Sequence, residues 1–170
     1  MADPDMTFTG FAVALMERSQ VRMKRAMEDL TDDQLYWQPA EGANSIGWLV
    51  WHLSRWKDIQ TARVVGEPQV WVSEAWAGRF GMAEAAHGSG DGPADVAAFR
   101  AERTLLIGYA DAAHEAALRR VGSATAEQLS NDTPSPTGGG APGVGWSAIL
   151  TNTIDYTEHT GQIAYLRGMI

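Results

Sequence analysis

Two histidines and one aspartate have the residue types and the spacing to bind a divalent cation. Asp155 and His159 are four residues apart, and this spacing places both side chains on one face of a helix. His52 occupies a separate apolar segment, one helical turn after Trp48 and one turn before Trp56. Two imidazoles and a carboxylate suit Zn²⁺, Fe²⁺ or Ni²⁺, and three protein ligands leave positions open for water or substrate. The pattern therefore predicts a catalytic metal site formed by His52, Asp155 and His159.

The helical position of the carboxylate is a second indication of this site. Asp155 shares a partly apolar sector of its helix with His159 and Leu166. An inward carboxylate is costly unless something pairs with it, and a bound cation would compensate for its lost hydration. Two alternatives stay open: Asp155 pairs with Arg55 or Arg63, or it faces solvent.

Four further residues are expected to surround the metal ligands. Gln162 lies three residues after His159 and can orient its ring, because a ligating histidine normally donates its second ring nitrogen to a partner. Gln162 can equally be a polar packing residue. Trp48 and Trp56 can line a pocket beside the ionisable groups or belong to the core, and Arg55 adds a cation next to them.

The other ionisable residues give weaker signals. A single histidine on an apolar face, such as His52 taken alone, is more often a core residue than a ligand. His87 lies in a glycine-rich loop and is expected to be solvated, and His114, between alanines, is expected to face water. Glu158 is expected on the outside of its helix. No Gly-x-Ser-x-Gly elbow and no phosphate-binding glycine motif is present.

Composition excludes several classes of function. The 170 residues carry a net charge of −8, which argues against nucleic acid as a partner because phosphate binding needs a basic surface. There is no cysteine, so disulfides, Cys-ligated zinc and thiolate catalysis are ruled out and any thiol must come from outside. No signal peptide or apolar run long enough for a membrane span is visible, so the expected location is the cytoplasm.

Hydrophobic periodicity predicts an all-α fold with four long helices in one domain, residues 1–170. Two short capped turns, Thr31 to Gln34 and Thr125 to Gln128, each precede a helix that opens with Gly-Trp and suggest two related hairpins. The long helices are predicted at 7–30, 44–65 with Asn44 as N-cap, 94–121 and 146–170. The intervening loops at 66–93 and 131–145 are predicted to be irregular, the first covering one end of a four-helix bundle.

Two sequence blocks carry a family resemblance. The first runs Leu35-Tyr-Trp-Gln-Pro39 and then Asn44-Ser-Ile-Gly-Trp-Leu-Val-Trp-His52. The second runs His159-Thr-Gly-Gln-Ile163 and continues to Tyr165-Leu-Arg-Gly168. Together they resemble the DinB-like (YfiT-like) superfamily over the whole chain.

This resemblance implies an up-down-down-up four-helix bundle, a divalent metal near one end and a homodimer. Members of that family typically bind the metal through three histidines, one on the second helix and an H-x-x-x-H pair on the fourth. His52 and His159 match the first and last of these positions, whereas Asp155 stands at the middle one. A carboxylate can also ligate, so the departure implies a site with an altered metal preference, or one that is weakened or lost.

The resemblance also implies a set of possible activities. Characterised relatives resemble transferases and isomerases that act on small molecules with a low-molecular-weight thiol such as mycothiol or bacillithiol. The first hypothesis is therefore a metal-dependent transferase or isomerase of this kind. The second is metal-dependent hydrolysis at the same site, and the third is a non-catalytic bundle that binds a ligand or has lost its metal.

Overall fold

The computed structural model describes residues 7–136 and 142–170, and in this part of the chain the protein is mostly helical. Each of the four segments predicted as a long helix contains one, although the third is interrupted. In chain order the elements are α1 (Phe8–Met27), α2 (Asp32–Leu35), α3 (Ile46–Val65), α4 (Val70–Ser73), α5 (Trp76–Phe80), α6 (Pro93–Ala98), α7 (Arg103–Gly122), α8 (Ala126–Ser130), β1 (Asp132–Thr133), β2 (Gly143–Val144) and α9 (Gly145–Arg167).

The four long helices pack side by side around a common core. Helix α3 packs against α7 and α9, and α1 packs against the same two helices from the other side. The larger core is rich in aromatic rings, with Trp51, Trp71 and Tyr109 fully buried. None of the helices within residues 7–136 and 142–170 has the length and apolar character needed to cross a membrane.

The start of α3 differs from the sequence-based prediction, and α1 leaves an aromatic residue exposed. Helix α3 is capped by Ser45 and not by Asn44, because the Ser45 hydroxyl accepts the Trp48 N–H at 3.3 Å. On α1, Ala12, Ser19 and Met23 are buried, whereas Phe11 is 66% exposed.

The predicted third helix is broken into α6 and α7. Phe99 adopts an extended conformation at the end of α6, and its ring is buried against Tyr36 at 6.2 Å between centroids. The Tyr36 hydroxyl accepts the N–H of Ala101 at 2.9 Å and donates to the carbonyl of the same residue. A side chain distant in sequence thus satisfies the backbone groups that the missing helical turn leaves open.

The loops are more ordered than predicted. Both short capping boxes form, at Thr31 with Gln34 and at Thr125 with Gln128. The segment predicted as an irregular loop at 66–93 contains α4 and α5. In the second loop, 131–145, the antiparallel pair β1–β2 forms where no strand was expected. Residues 137–141 of this loop, and residues 1–6 of the predicted domain, lie outside the described residues.

A buried ion cluster fixes the start of the first loop. The Asp58 carboxylate accepts the backbone N–H groups of Val70 at 3.0 Å and Trp71 at 2.9 Å, and Arg120 approaches it at 2.9 Å. Asp58 and Arg120 are both buried, so the pairing compensates for their desolvation. The first turn of α4 is thereby held against α3 and α7.

Candidate functional site

Helices α3 and α9 present two facing rows of polar side chains. On α3 the row is His52, Trp56 and Gln60, spaced four residues apart; on α9 it is Asn152, Asp155 and His159. Spacings of three and four residues place each row on a single helix face. The rings of His52 and His159 are 5.2 Å apart between centroids, so the structure brings together the two histidines that sequence spacing singled out.

Both imidazoles are oriented through their Nδ1 atoms. Nδ1 of His52 lies 2.8 Å from the backbone carbonyl oxygen of His87, and Nδ1 of His159 lies 2.8 Å from Oε1 of Gln162. Because these oxygens only accept, each Nδ1 must carry the proton, which leaves Nε2 with a lone pair in the neutral ring. Gln162 therefore has the orienting contact with His159 that the sequence suggested.

Asp155 lies beside His159 and is only partly satisfied. Its Oδ1 is 3.4 Å from Nε2 of His159, whereas its Oδ2 is buried and has no hydrogen-bond partner among the described residues. The predicted alternative of an ion pair with Arg55 or Arg63 is therefore absent here. A buried, unpartnered carboxylate oxygen beside two imidazoles is an arrangement that a cation would complete.

The pKa values of the two histidines are shifted in opposite directions. Burial, followed by the nearby charge of His159, lowers the pKa of His52 to about 4. Hydrogen bonding of the charged ring to the Asp155 carboxylate is the main cause that raises the pKa of His159 above its ordinary value. His52 is thus neutral at pH 7, as a metal ligand must be.

The donor atoms of His52, Asp155 and His159 are of the types that bind a divalent cation. In this structure, however, the three side chains are not arranged around a common point. Among residues 7–136 and 142–170, no group of three or more His, Asp or Glu side chains is positioned to hold a metal ion. His159 instead pairs directly with Asp155. The two Nε2 lone pairs and the unpartnered Oδ2 of Asp155 nevertheless supply the nitrogen and oxygen donors that Zn²⁺, Fe²⁺ or Ni²⁺ accepts.

Two tryptophans pack against His52: Trp48 belongs to the buried core, whereas Trp56 lines a cavity beside the histidine. The Trp48 ring stacks on the imidazole at 4.5 Å with an interplanar angle of 12°, and Trp56 meets it edge-on at 6.3 Å. Their indole N–H groups donate to the first loop, that of Trp48 to Asp91 and that of Trp56 to Ser89, both at 3.1 Å. The loop 87–91 is thus attached to the site at several points.

Gly88 allows this loop to approach His52 closely. It has φ of +83°, and a Cβ atom there would lie 2.5 Å from Nδ1 of His52 and 3.0 Å from the Trp48 ring. Since any side chain would displace the imidazole or the loop, glycine is required for the hydrogen bond between His52 and the His87 carbonyl. His87 itself is only partly exposed, with its ring 5.4 Å from that of Trp56.

Two residues expected near the site or in solvent lie elsewhere. The Arg55 guanidinium points away from Asp155: it donates to Tyr109 and Gln69, pairs with Asp58 at 3.5 Å and stacks over Trp71. Arg55 therefore belongs to the buried ion cluster and does not line the pocket, because its helical phase faces α4 and α7. His114 does not face water freely either, since its Nδ1 lies 3.3 Å from the buried Lys57 ammonium.

A cavity of about 230 Å³ opens between the two polar rows. Sequence reasoning missed two of its residues, Gln60 and Asn152, although their helical spacing from His52 and Asp155 places them on the same faces. The cavity is lined by His52, Trp56, Gln60, Ser89, Pro136, Thr151, Asn152 and Asp155.

A larger depression elsewhere is a weaker candidate. It has a volume of about 610 Å³ and lies at the start of α7, between Arg79 and Arg100. Both arginines are exposed, and their guanidinium groups stack on aromatic rings. Its lining includes one carboxylate, Glu102, and no histidine. The convergence of ionisable groups makes the smaller cavity between α3 and α9 the better candidate.

Comparison with known proteins identifies the fold. The family model described as the DinB superfamily matches residues 15–163. A crystal structure of a conserved protein from Enterococcus faecalis is similar over 98% of this chain and 98% of that chain, with a TM-score of 0.84 and 22% sequence identity. At this identity the likeness concerns the fold alone. No curated protein matches the sequence significantly.

Proposed function

The chain belongs to the DinB superfamily, and from that premise we propose that it is a divalent-metal-dependent enzyme acting on a small molecule between α3 and α9. His52, Asp155 and His159 would hold the cation. The observation that carries the proposal is the buried Oδ2 of Asp155, which has no partner among the described residues and lies on the same helix face as His159. A solely structural aspartate at this position would be expected to have its oxygens paired.

The chain's own residues prepare the donors for this role. The His87 carbonyl and Gln162 hold the Nδ1 protons, so that the Nε2 atoms of His52 and His159 are available. Trp48 and Trp56 exclude water from one side of His52. A bound divalent cation acts as a Lewis acid that lowers the pKa of a ligated thiol or water toward neutrality.

The reaction class that we propose is transfer or isomerisation with a low-molecular-weight thiol such as mycothiol. The absence of cysteine supports an external thiol, since the chain has no thiolate of its own. The cavity of about 230 Å³ is below the ~300–1,000 Å³ that is usual for pockets of drug-sized ligands, which favours a small substrate.

Comparing turnover with and without added thiol tests this proposal. Protein loaded with Zn²⁺, Ni²⁺ or Fe²⁺ should consume electrophilic model substrates only when a thiol is added, and His52→Ala should remove the activity. Hydrolysis of model esters or amides by the metal-loaded protein without thiol would replace transfer by hydrolysis. Absence of both activities with every metal would refute the catalytic proposal.

The order of the helices in the bundle is part of the proposal. We propose up-down-down-up connectivity, supported by the smaller hydrophobic cluster. This cluster combines residues near the starts of α1 and α9 with residues near the ends of α3 and α7. Its members include Ala12, Val64, Val121 and Ala148.

We also propose that the protein forms a homodimer. Helices α1 and α9 pack next to each other, and both leave large apolar side chains exposed, which supports this proposal. Exposed apolar surface of this kind is typical of interaction sites. The residues are Phe11, Val21, Ile154 and Tyr165.

A further inference from the structure

Two buried amide side chains at the far end of the cavity have no assigned role. Gln60 is 6% exposed and Asn152 is 2% exposed, and both line the cavity between α3 and α9. Oε1 of Gln60, and both Oδ1 and Nδ2 of Asn152, lack a hydrogen-bond partner within the described residues.

Such groups are costly to bury unsatisfied. A buried donor or acceptor without a partner costs about 1–3 kcal/mol, and Asn152 has one of each kind unpaired. Native proteins rarely keep this cost unless a ligand or an ordered water satisfies the group. Both side chains also face the same space, so a single bound molecule could satisfy them together.

The two amide side chains lie at a defined distance from the ionisable residues of the cavity. Gln60 follows His52 by eight residues, which corresponds to about 12 Å along a helix. On the facing helix Asn152 precedes Asp155 by three residues, so the two amides lie on the side of the cavity away from His52 and about one helical turn from the carboxylate. Apart from His52 and Asp155, the lining residues carry no ionisable side chain.

We propose that Gln60 and Asn152 form a subsite that recognises an uncharged carboxamide-type group of the substrate or thiol cofactor. Such a group offers an N–H to one amide oxygen, and its carbonyl accepts the Asn152 N–H. A carboxylate lacks the donor that Oε1 of Gln60 and Oδ1 of Asn152 require, and no cation lines this end of the cavity to favour it. The inference rests on the proposed function only in taking the side of the cavity near His52 as the reacting side.

The binding test uses three small probes of nearly equal shape: propionamide, propionate and butanone. Propionate replaces the amide NH₂ by a charged oxygen, and butanone replaces it by a methyl group that cannot donate. The measurement is the ¹H–¹⁵N spectrum of metal-free protein, in which Asn152→Leu identifies the side-chain NH₂ signal of Asn152. Propionamide should shift this signal saturably, with a dissociation constant of about 1–10 mM and at least about tenfold preference over the other two probes.

Variants separate recognition from structure. Asn152→Leu and Gln60→Leu should each remove the preference for propionamide, while Thr157→Ala, at an exposed position of α9, should keep it. Asn152→Leu should also raise or leave unchanged the melting temperature, because it removes a buried polar group that has no partner. If Asn152 were purely structural, the same change would lower the melting temperature.

The outcomes of this test and of the metal test are distinguishable. A protein that takes up no metal but binds propionamide at Asn152 would refute the proposed function and leave the subsite standing. A protein that takes up metal while the Asn152 signal ignores propionamide, or responds equally to butanone, would overturn the subsite. In that case the two amides contact only water.

Discussion

Asp155 is the residue that distinguishes this site from a set of three histidines. Its side chain is partly exposed, yet one of its oxygens is buried without a partner in the described chain, next to an imidazole whose pKa it raises. The same carboxylate can hold a proton on His159 or share a cation with it, and the two arrangements compete. The function of the site depends on which of them prevails.

Substitutions at position 155 test its role as a ligand. Asp155→Ala should weaken Zn²⁺ binding by more than the roughly 10–100-fold that follows loss of a supporting partner, because it removes a ligand. Asp155→His should retain binding, since an imidazole is also a zinc ligand. Isothermal titration with Zn²⁺ measures both. Unchanged affinity in Asp155→Ala would mean that the carboxylate does not ligate.

At the scale of single residues, the sequence was sufficient to group site residues that lie close together on one helix. His159, Asp155 and Gln162 lie within two turns of one helix, so helical periodicity was sufficient to group them. Arg55 was misassigned because its partners Tyr109 and Gln69 lie on other segments of the chain, which helical spacing does not reveal. Gln60 and Asn152 showed the right spacing, but only the structure reveals that they are buried and unpaired.

At the scale of structural elements, the loop before α6 determines the shape of the site. Gly88 brings the His87 carbonyl to His52, and Ser89 and Asp91 accept the two indole N–H groups. The structural requirement is therefore concentrated in a short segment, residues 87–91, which is held against α3 by hydrogen bonds to Trp48, His52 and Trp56.

Gly88 and Gly90 provide a matched pair for testing this loop. Both have positive φ, +83° and +93°, but a Cβ at Gly88 would collide with His52, whereas a Cβ at Gly90 would meet nothing within 4 Å. Gly88→Ala and Gly90→Ala therefore carry similar backbone strain of about 1–2 kcal/mol, and only the first should also weaken Zn²⁺ binding. Calorimetric titration together with thermal melting separates the two effects. Equal zinc affinity in both variants would contradict the role assigned to the loop.

The buried Asp58 cluster provides a second test at the scale of elements. Asp58→Ala removes a carboxylate that pairs with buried arginines and caps α4, and it should lower the free energy of unfolding by about 3–5 kcal/mol. The control is Lys24→Ala, which breaks the exposed pair with Asp111 and should cost less than about 1 kcal/mol. Urea unfolding measures both. Similar losses in the two variants would show that the cluster has no special role.

The sequence predicted the long helices well and their interruptions poorly. Periodic apolar residues identify a long helix from local information. The break before α7 has no glycine or proline to mark it, because it depends on Tyr36 contacting Phe99 and Ala101 from a distant part of the chain. The capping boxes at Thr31 and Thr125 were predictable because all of their hydrogen bonds are local.

For the whole molecule, the exposed apolar residues of α1 and α9 lead to a prediction about assembly. The wild-type protein should have a solution mass of twice 18.4 kDa, and Ile154→Lys should shift it toward the monomer by placing a charge in an apolar interface. Glu115→Lys, at an exposed position of α7, is the control and should leave the mass unchanged. Light scattering coupled to size-exclusion chromatography gives the answer. A wild-type monomer at high concentration would refute the dimer.

The central claim is that His52, Asp155 and His159 hold one divalent cation, and the metal content of the purified protein tests it most directly. Elemental analysis after incubation with Zn²⁺, Ni²⁺ or Fe²⁺ and removal of the excess should give about one metal ion per chain for the wild type and none for His52→Ala. The bound metal should also raise the melting temperature of the wild type alone, because it binds only the folded state. A wild-type protein that stays metal-free, or a His52→Ala variant that binds as much metal as the wild type, would contradict the account.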